Sequence, residues 1–210
     1  MEYRWLNHKN NNKLILFFNG WGMNESAIEH LLCEDYDVLM FYNYNSLSID
    51  LDFAKYYTEI NLVSWSMGVF ISGMVLNPIL SRLNRITFIN GTLKPIDEKY
   101  GISPKIYDLT VRFFSDESAE KFVSNMFSDR QKHKIKLREP ISDLKNELIA
   151  LQKYTEENIS SDKIVPTKIY ISNKDRIIPS KHQSAYWNTE PNTEGEHYIF
   201  DKFTKWSELL

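Results

Sequence analysis

The chain has 210 residues, 42% hydrophobic and 14% aromatic, with a formal net charge of −3. That size and balance suit one soluble globular domain with a full core, and give no global attraction to nucleic acid or anionic membrane. The single cysteine, Cys33, excludes an internal disulfide framework and fits a reducing compartment. The N-terminal Met1-Glu2-Tyr3-Arg4-Trp5 lacks the basic-then-apolar order of a signal peptide. No apolar run approaches the ~18 residues needed to cross a bilayer, so a cytoplasmic location is expected.

Lys13 to Phe18 is a continuous apolar run, as expected of a parallel strand buried on both faces. It breaks at Asn19-Gly20-Trp21-Gly22, and Asn24-Glu25-Ser26 opens a predicted helix through Leu32. Asp37 to Tyr42 reads as the next strand, Leu51 to Glu59 as a helix, and Leu62 to Ser66 as a strand ending in a sharp turn. A helix follows to about Leu76 or Leu80, weakening at Pro78, and Arg85 to Asn90 is another strand, ended by Gly91. Alternating strands and helices of this kind predict a doubly wound, mostly parallel sheet.

From about residue 92 to 165 the rhythm changes, with predicted helices at Ser118 to Phe127 and Ile141 to Tyr154. This stretch reads as a small helical cap inserted into a single α/β domain spanning 1–210. The parallel pattern resumes at Pro166 to Ser172, leads into the polar turn around Asp175, and continues through a helix carrying His182. A short final strand is expected at Glu196 to Phe200 and a terminal helix from Lys202 to Leu210.

The chemistry centres on Ser64-Trp65-Ser66-Met67-Gly68 between a strand and a helix. A G-x-S-x-G pentapeptide in that place is a nucleophile elbow, whose strained turn lifts the serine hydroxyl above the sheet. Ser64 stands where the first glycine would be and is small enough for strand and helix to approach. The bland alternative is that Ser66 only caps the helix. A serine hydroxyl needs a base within reach, and the base needs an orienting acid. Ser66, Asp175 and His197 follow the α/β-hydrolase order of nucleophile, acid and base. Asp175 read blandly is a turn former. His182 is the alternative base, whereas His8 precedes the first buried strand, His30 lies in a predicted helix and His133 sits in a basic run. No H-E-x-x-H or Cys/His cluster occurs, so no metal is expected at the site.

The oxyanion formed during ester cleavage needs preorganised N–H donors. The backbone N–H groups of Met67, just after the nucleophile, and Trp21, between two glycines, are the expected pair. The side chains of Trp21 and Trp65 are expected to wall the acyl site or to serve as packing.

The segments F-F-N-G-W-G-M-N-E-S (Phe17 to Ser26), L-V-S-W-S-M-G-V (Leu62 to Val69) and F-I-N-G-T-L-K-P-I-D (Phe88 to Asp97) resemble the pimeloyl-[acyl-carrier protein] methyl ester esterases of biotin synthesis, in their short BioG-type branch. The G-E-H-Y stretch, Gly195 to Tyr198, agrees in order and position. The resemblance implies an α/β-hydrolase that removes the methyl group of a pimeloyl ester carried on acyl carrier protein, without cofactor. Such carriers are acidic helical bundles, so the basic run containing Arg130, Lys132, Lys134, Lys136 and Arg138 is expected to attract one. The alternative is a solvated surface run. Arg112 is a separate candidate for the same docking surface. A monomer is expected, with no nucleic acid or membrane partner. A general small-ester or thioester hydrolase and a catalytically silent hydrolase-fold binding protein are the competing readings.

Overall fold

The computed structural model describes residues 1–127, 135, 137, 138, 140–157 and 164–210, with Ile141 described by its backbone alone. Six strands form one sheet: β1 (Glu2–Asn7), β2 (Lys13–Phe18), β3 (Asp37–Tyr42), β4 (Glu59–Trp65), β5 (Leu83–Ile89) and β6 (Lys168–Tyr170), in the order β1-β3-β2-β4-β5-β6. Only β1 is antiparallel, pairing Glu2 with Tyr42 and Trp5 with Leu39 at the edge. The remaining pairs are parallel, with Phe18 opposite both Phe41 and Ser64, and Trp65 opposite Ile89. The continuous apolar runs of β2 and β3, and the mostly apolar buried parts of β4 and β5, follow from burial on both faces. Leu14, Leu16 and Phe18 of β2 point into one apolar layer, while Ile15 and Phe17 point into the other.

Helix α1 (Met67–Val75) sits on the first face; eight of its residues, from Met67 to Met74, are buried. A helix this apolar on all sides is stable only as part of a core. Between β5 and β6 the chain forms α2 (Pro104–Arg112), α3 (Asp116–Met126) and α4 (Ile141–Glu156). The last two match the predicted helices of the insertion, whereas α2 was not anticipated. Helix α5 (Ser180–Trp187) follows β6 and stops at Asn188 in the left-handed region, φ 50°.

The structure departs from expectation at four shorter elements and at the edge. The helices expected at 24–32 and 51–59 shrink to short 3-10 segments, Glu25–Ala27 and Asp52–Tyr56. The terminal helix resolves into two further 3-10 turns, Phe200–Lys202 and Trp206–Leu209, which pack Phe200 and Trp206 on Phe17. The strand expected at 196–200 does not form. Tyr198 instead donates its N–H to Met126 O at 3.0 Å and its hydroxyl to Ala27 O at 2.8 Å, which draws the segment away from the sheet. Strand β1 escaped notice because its mixed, partly exposed pattern carries no buried apolar run.

Candidate active site

Strand β4 ends at Trp65 and α1 begins at Met67, so Ser66 forms the turn between them, with φ 57° and ψ −125°. A positive φ is strained for a residue with a side chain and persists only when its surroundings impose it. Two glycines make room for it. A Cβ on Gly68 would lie 2.3 Å from Phe18 O, and one on Gly91 would lie 2.5 Å from Ser66 O. Ser64, in the place of the first glycine, is fully buried and donates to Ser72 Oγ at 2.9 Å, which donates in turn to Val69 O at 2.9 Å. The departure from glycine is accommodated because the added hydroxyl has a partner inside the core.

Asp175 lies in the loop after β6. Its Oδ1 accepts the N–H groups of Ile177 and Ile178 at 2.8 and 3.1 Å, and its Oδ2 accepts Gln183 Nε2 at 2.7 Å. The same Oδ2 lies 2.8 Å from His197 Nδ1, so His197 and Asp175 form a buried pair. With the carboxylate ionised, the proton sits on Nδ1 and leaves Nε2 free to accept one. Nε2 is buried and has no hydrogen-bond partner, so a hydrogen bond from Ser66 Oγ is not made in this state. Catalytic hydrogen bonds are commonly loose before substrate binds. The backbone of His197 is held from the ends of β4 and β5: its carbonyl accepts Trp65 Nε1 at 3.1 Å and Asn90 Nδ2 at 2.8 Å. Asn90, itself at φ 46°, also bonds both the amide and the hydroxyl of Ser172. His182 faces elsewhere, its Nδ1 2.7 Å from Gly101 O.

Trp65 needs correction. Its side chain is fully buried on the face of the sheet remote from α1, packing on His197 at 5.5 Å and on Phe200 at 5.3 Å between ring centroids. Period-two alternation along β4 decides this, because Ser64 takes the α1 side and Trp65 must take the other. It supports the histidine and does not wall an acyl site. Trp21, by contrast, lines a cavity of about 440 Å³ together with Ser66 and Met67. Its indole also packs edge-on against Phe114 and Phe122, and its Nε1 donates to Leu144 O at 3.0 Å. Met67 opens α1, so its N–H has no carbonyl one turn back and is free to serve as a donor. Ile106 and Leu109 of α2 and Phe113 just past its end line the same cavity and remain 58%, 45% and 67% exposed. Lys121 and Arg176 bring positive charge to its wall.

Of the basic residues expected to meet a carrier, Arg130, Lys132, Lys134 and Lys136 lie outside the described residues, as does His133. Arg112 is exposed at the C-terminal end of α2, one residue before Phe113 at the cavity. Arg138 is corrected: it is buried, with Nη2 2.7 Å from Glu147 Oε2, and is therefore not a free surface charge. Sequence reasoning also missed Gln183, Asn90, Lys121, Arg176 and Glu147. Asn90 acts across the fold on segments 82 and 107 residues away, a relation that residue spacing does not carry, whereas Gln183 reaches Asp175 from eight residues on. The N-G that follows β5 was the one local hint, since asparagine tolerates a positive φ. Among the described residues no three of His, Cys, Asp and Glu gather as a metal site.

Comparison with known proteins places these features in a family. The family described as Pimeloyl-ACP methyl esterase BioG matches residues 1–209. The crystal structure of BioG from Haemophilus influenzae is similar to the whole chain, with 33% identity, a TM-score of 0.92 and coverage of 100% of this chain and 99% of that one. A malonyl-[acyl-carrier protein] O-methyltransferase of Bacteroides fragilis is 33% identical over 192 residues, covering 88% of this chain and 39% of that protein. An esterase from Thermogutta terrifontis, 13% identical, shares the fold alone, with a TM-score of 0.65 over 94% of this chain and 86% of that one. The fold is that of the α/β-hydrolases.

Proposed function

The chain belongs to the pimeloyl-ACP methyl esterase BioG family of biotin synthesis, and we propose that Ser66, Asp175 and His197 carry out that family's ester hydrolysis. The observation that carries the assignment is the buried Asp175–His197 pair at 2.8 Å, whose histidine carbonyl is held by the indole of Trp65, the residue just before the strained serine turn.

In this reading Ser66 Oγ attacks the methyl ester carbonyl while His197 Nε2 takes its proton. Asp175 keeps the imidazole in the correct tautomer and stabilises the imidazolium that forms. The developing oxyanion is received by the N–H groups of Trp21 and Met67. Collapse expels methoxide, which takes the proton from His197 and leaves as methanol. Water then attacks the acyl-enzyme with His197 again as base, releasing the free carboxylate and regenerating Ser66.

The apolar cavity suits the methylene chain, which has no groups to hydrogen-bond. An acyl chain tethered to a carrier protein must enter through the cavity mouth, so the carrier sits near α2. Arg112, exposed at the end of α2, would meet its acidic surface, with the exposed Ile106 and Leu109 alongside. The cap supplied by residues 92–165 would then serve both chain and carrier.

The test is mass spectrometry of methyl-pimeloyl-carrier protein after incubation with the enzyme. Loss of the methyl group by wild type and not by Ser66→Ala is expected. Demethylation by Ser66→Ala at the wild-type rate would overturn the assignment. Hydrolysis of small esters with no action on the carrier substrate would instead indicate a general esterase.

A further inference from the structure

Glu147 on α4 is fully buried, yet the reaction gives it no part. Its Oε1 accepts the Tyr44 N–H at 2.8 Å and its Oε2 accepts Arg138 Nη2 at 2.7 Å. Burial pushes its carboxyl above the usual carboxylate range, against the Tyr44 N–H, the Arg138 charge and the Gly22 N–H, which all favour the ionised form. Replacing a buried ion pair by apolar residues is often neutral or stabilising, so its presence here suggests a demand for defined geometry.

Arg138 also lies 4.0 Å from Asp143, and further contacts from this pair and its neighbours converge on one turn, Asn19 to Gly22. Arg138 donates its N–H to Gly22 O at 2.7 Å, and Trp21 Nε1 donates to Leu144 O at 3.0 Å, one turn of α4 before Glu147. From the other side, the Tyr44 hydroxyl donates to Asn19 O at 2.7 Å. Gly22 is in the left-handed region at φ 72°, and a Cβ there would lie 2.9 Å from Leu137 Cδ2. A turn containing two glycines has little stiffness of its own. Oxyanion donors, however, act because they are aimed before the charge develops.

We propose that Glu147 is a positioning residue for the oxyanion hole, fixing the Asn19–Gly22 turn, and with it the Trp21 N–H, from the inserted helices. The proposal rests on the reading above, in which Trp21 and Met67 receive the oxyanion. It implies that the insertion completes the catalytic centre as well as covering it.

The test compares purified wild type, Glu147→Leu and Glu147→Gln on p-nitrophenyl butyrate. Two inhibitors accompany it: an alkylboronic acid, whose adduct on serine mimics the tetrahedral oxyanion, and 1-heptanol, which fills the apolar cavity without forming one. Wild type must be inhibited by the boronate and labelled on Ser66 by a fluorophosphonate; failure there defeats the underlying reading and not this proposal alone. Given that, Glu147→Leu is expected to lose about 10–100-fold in kcat, less than outright removal of a donor, which costs roughly 10²–10³-fold. KM and heptanol inhibition should stay within about twofold while boronate affinity falls in parallel with kcat. Glu147→Gln should recover most of the loss, because its amide oxygen still accepts the Tyr44 N–H. Wild-type kcat in Glu147→Leu, or equal weakening of both inhibitors, overturns the proposal. Should Glu147→Leu not fold, Tyr44→Phe removes only the hydroxyl that reaches Asn19 O. It must then show the same selective loss of boronate affinity, and an unchanged affinity overturns the proposal equally.

Discussion

Gly68→Ala tests the geometry of the serine turn with a single methyl group. The added Cβ would stand 2.3 Å from Phe18 O and 2.6 Å from Asn19 O, both backbone atoms at the end of β2 that no rotamer change can move. Restoring a contact of about 3.4 Å requires the start of α1 to withdraw by roughly 1 Å, because packed interiors do not absorb overlap locally. That displacement carries Ser66 and the Met67 N–H away from the Trp21 side of the site. A misplacement of about 1 Å costs on the order of 10²-fold in rate, and overpacking of this kind about 1–3 kcal/mol in stability. Urea denaturation and kcat on p-nitrophenyl butyrate should therefore both fall. The loss in kcat should persist in urea-free buffer, where the variant remains folded. A variant with wild-type stability and wild-type kcat would mean that α1 does not start this close to β2, and the account of the turn would fail with it.

Ser66→Ala and His197→Ala should each lower kcat by several orders of magnitude while Asp175→Ala costs somewhat less, since the acid only orients and stabilises the base. His182→Ala should keep most of its activity, and the reverse result for the two histidines would place the base on α5. Asp37 is fully buried, and burial alone would raise its carboxyl. The Lys9 and Asn11 N–H groups, the Asn11 side chain and the Tyr57 hydroxyl outweigh that and hold it below its ordinary value. A depressed carboxyl stabilises the fold above its unfolded pKa of about 3.9 and loses that contribution as pH falls through the folded value. The stability gap between wild type and Asp37→Asn, measured by urea titration, should thus be constant near neutrality and narrow below about pH 4; a gap unchanged down to pH 2.5 contradicts this. Arg112→Glu should lower kcat/KM on carrier-bound substrate relative to p-nitrophenyl butyrate, more so at low salt, because rim charges act on encounter and are screened over about 8–10 Å. An equal change on both substrates would point to damage to the fold.

The parallel core was legible because strands buried on both faces are mostly apolar, and β2 to β5 each carry such a run. The serine turn was legible because it is local: a strand, a short turn with small neighbours and a helix all fall within a dozen residues. The candidate acid and base came from chain order, and in the fold they lie 2.8 Å apart. The edge strand β1, half exposed, carries no such signal, and the segment at 196–200 has strand-like composition yet is claimed by Met126 and Ala27.

What the sequence by itself determined is therefore the order of buried strands, the serine turn and the order of candidate catalytic groups. These depend on residue type and on spacing within one element. The tertiary structure alone decided the surroundings of each group. Trp65 and Trp21 have the same composition value, but strand alternation sends one beneath His197 and the turn after β2 sends the other to the cavity. Arg138 reads as one more charge in a basic run until Glu147, nine residues on, takes it inside. The hydrogen bonds that decide these fates join residues up to 132 positions apart, as in Trp65 to the His197 carbonyl. Burial is a property of the folded chain and not of any window along it, so such partners emerge only once the chain has closed on itself.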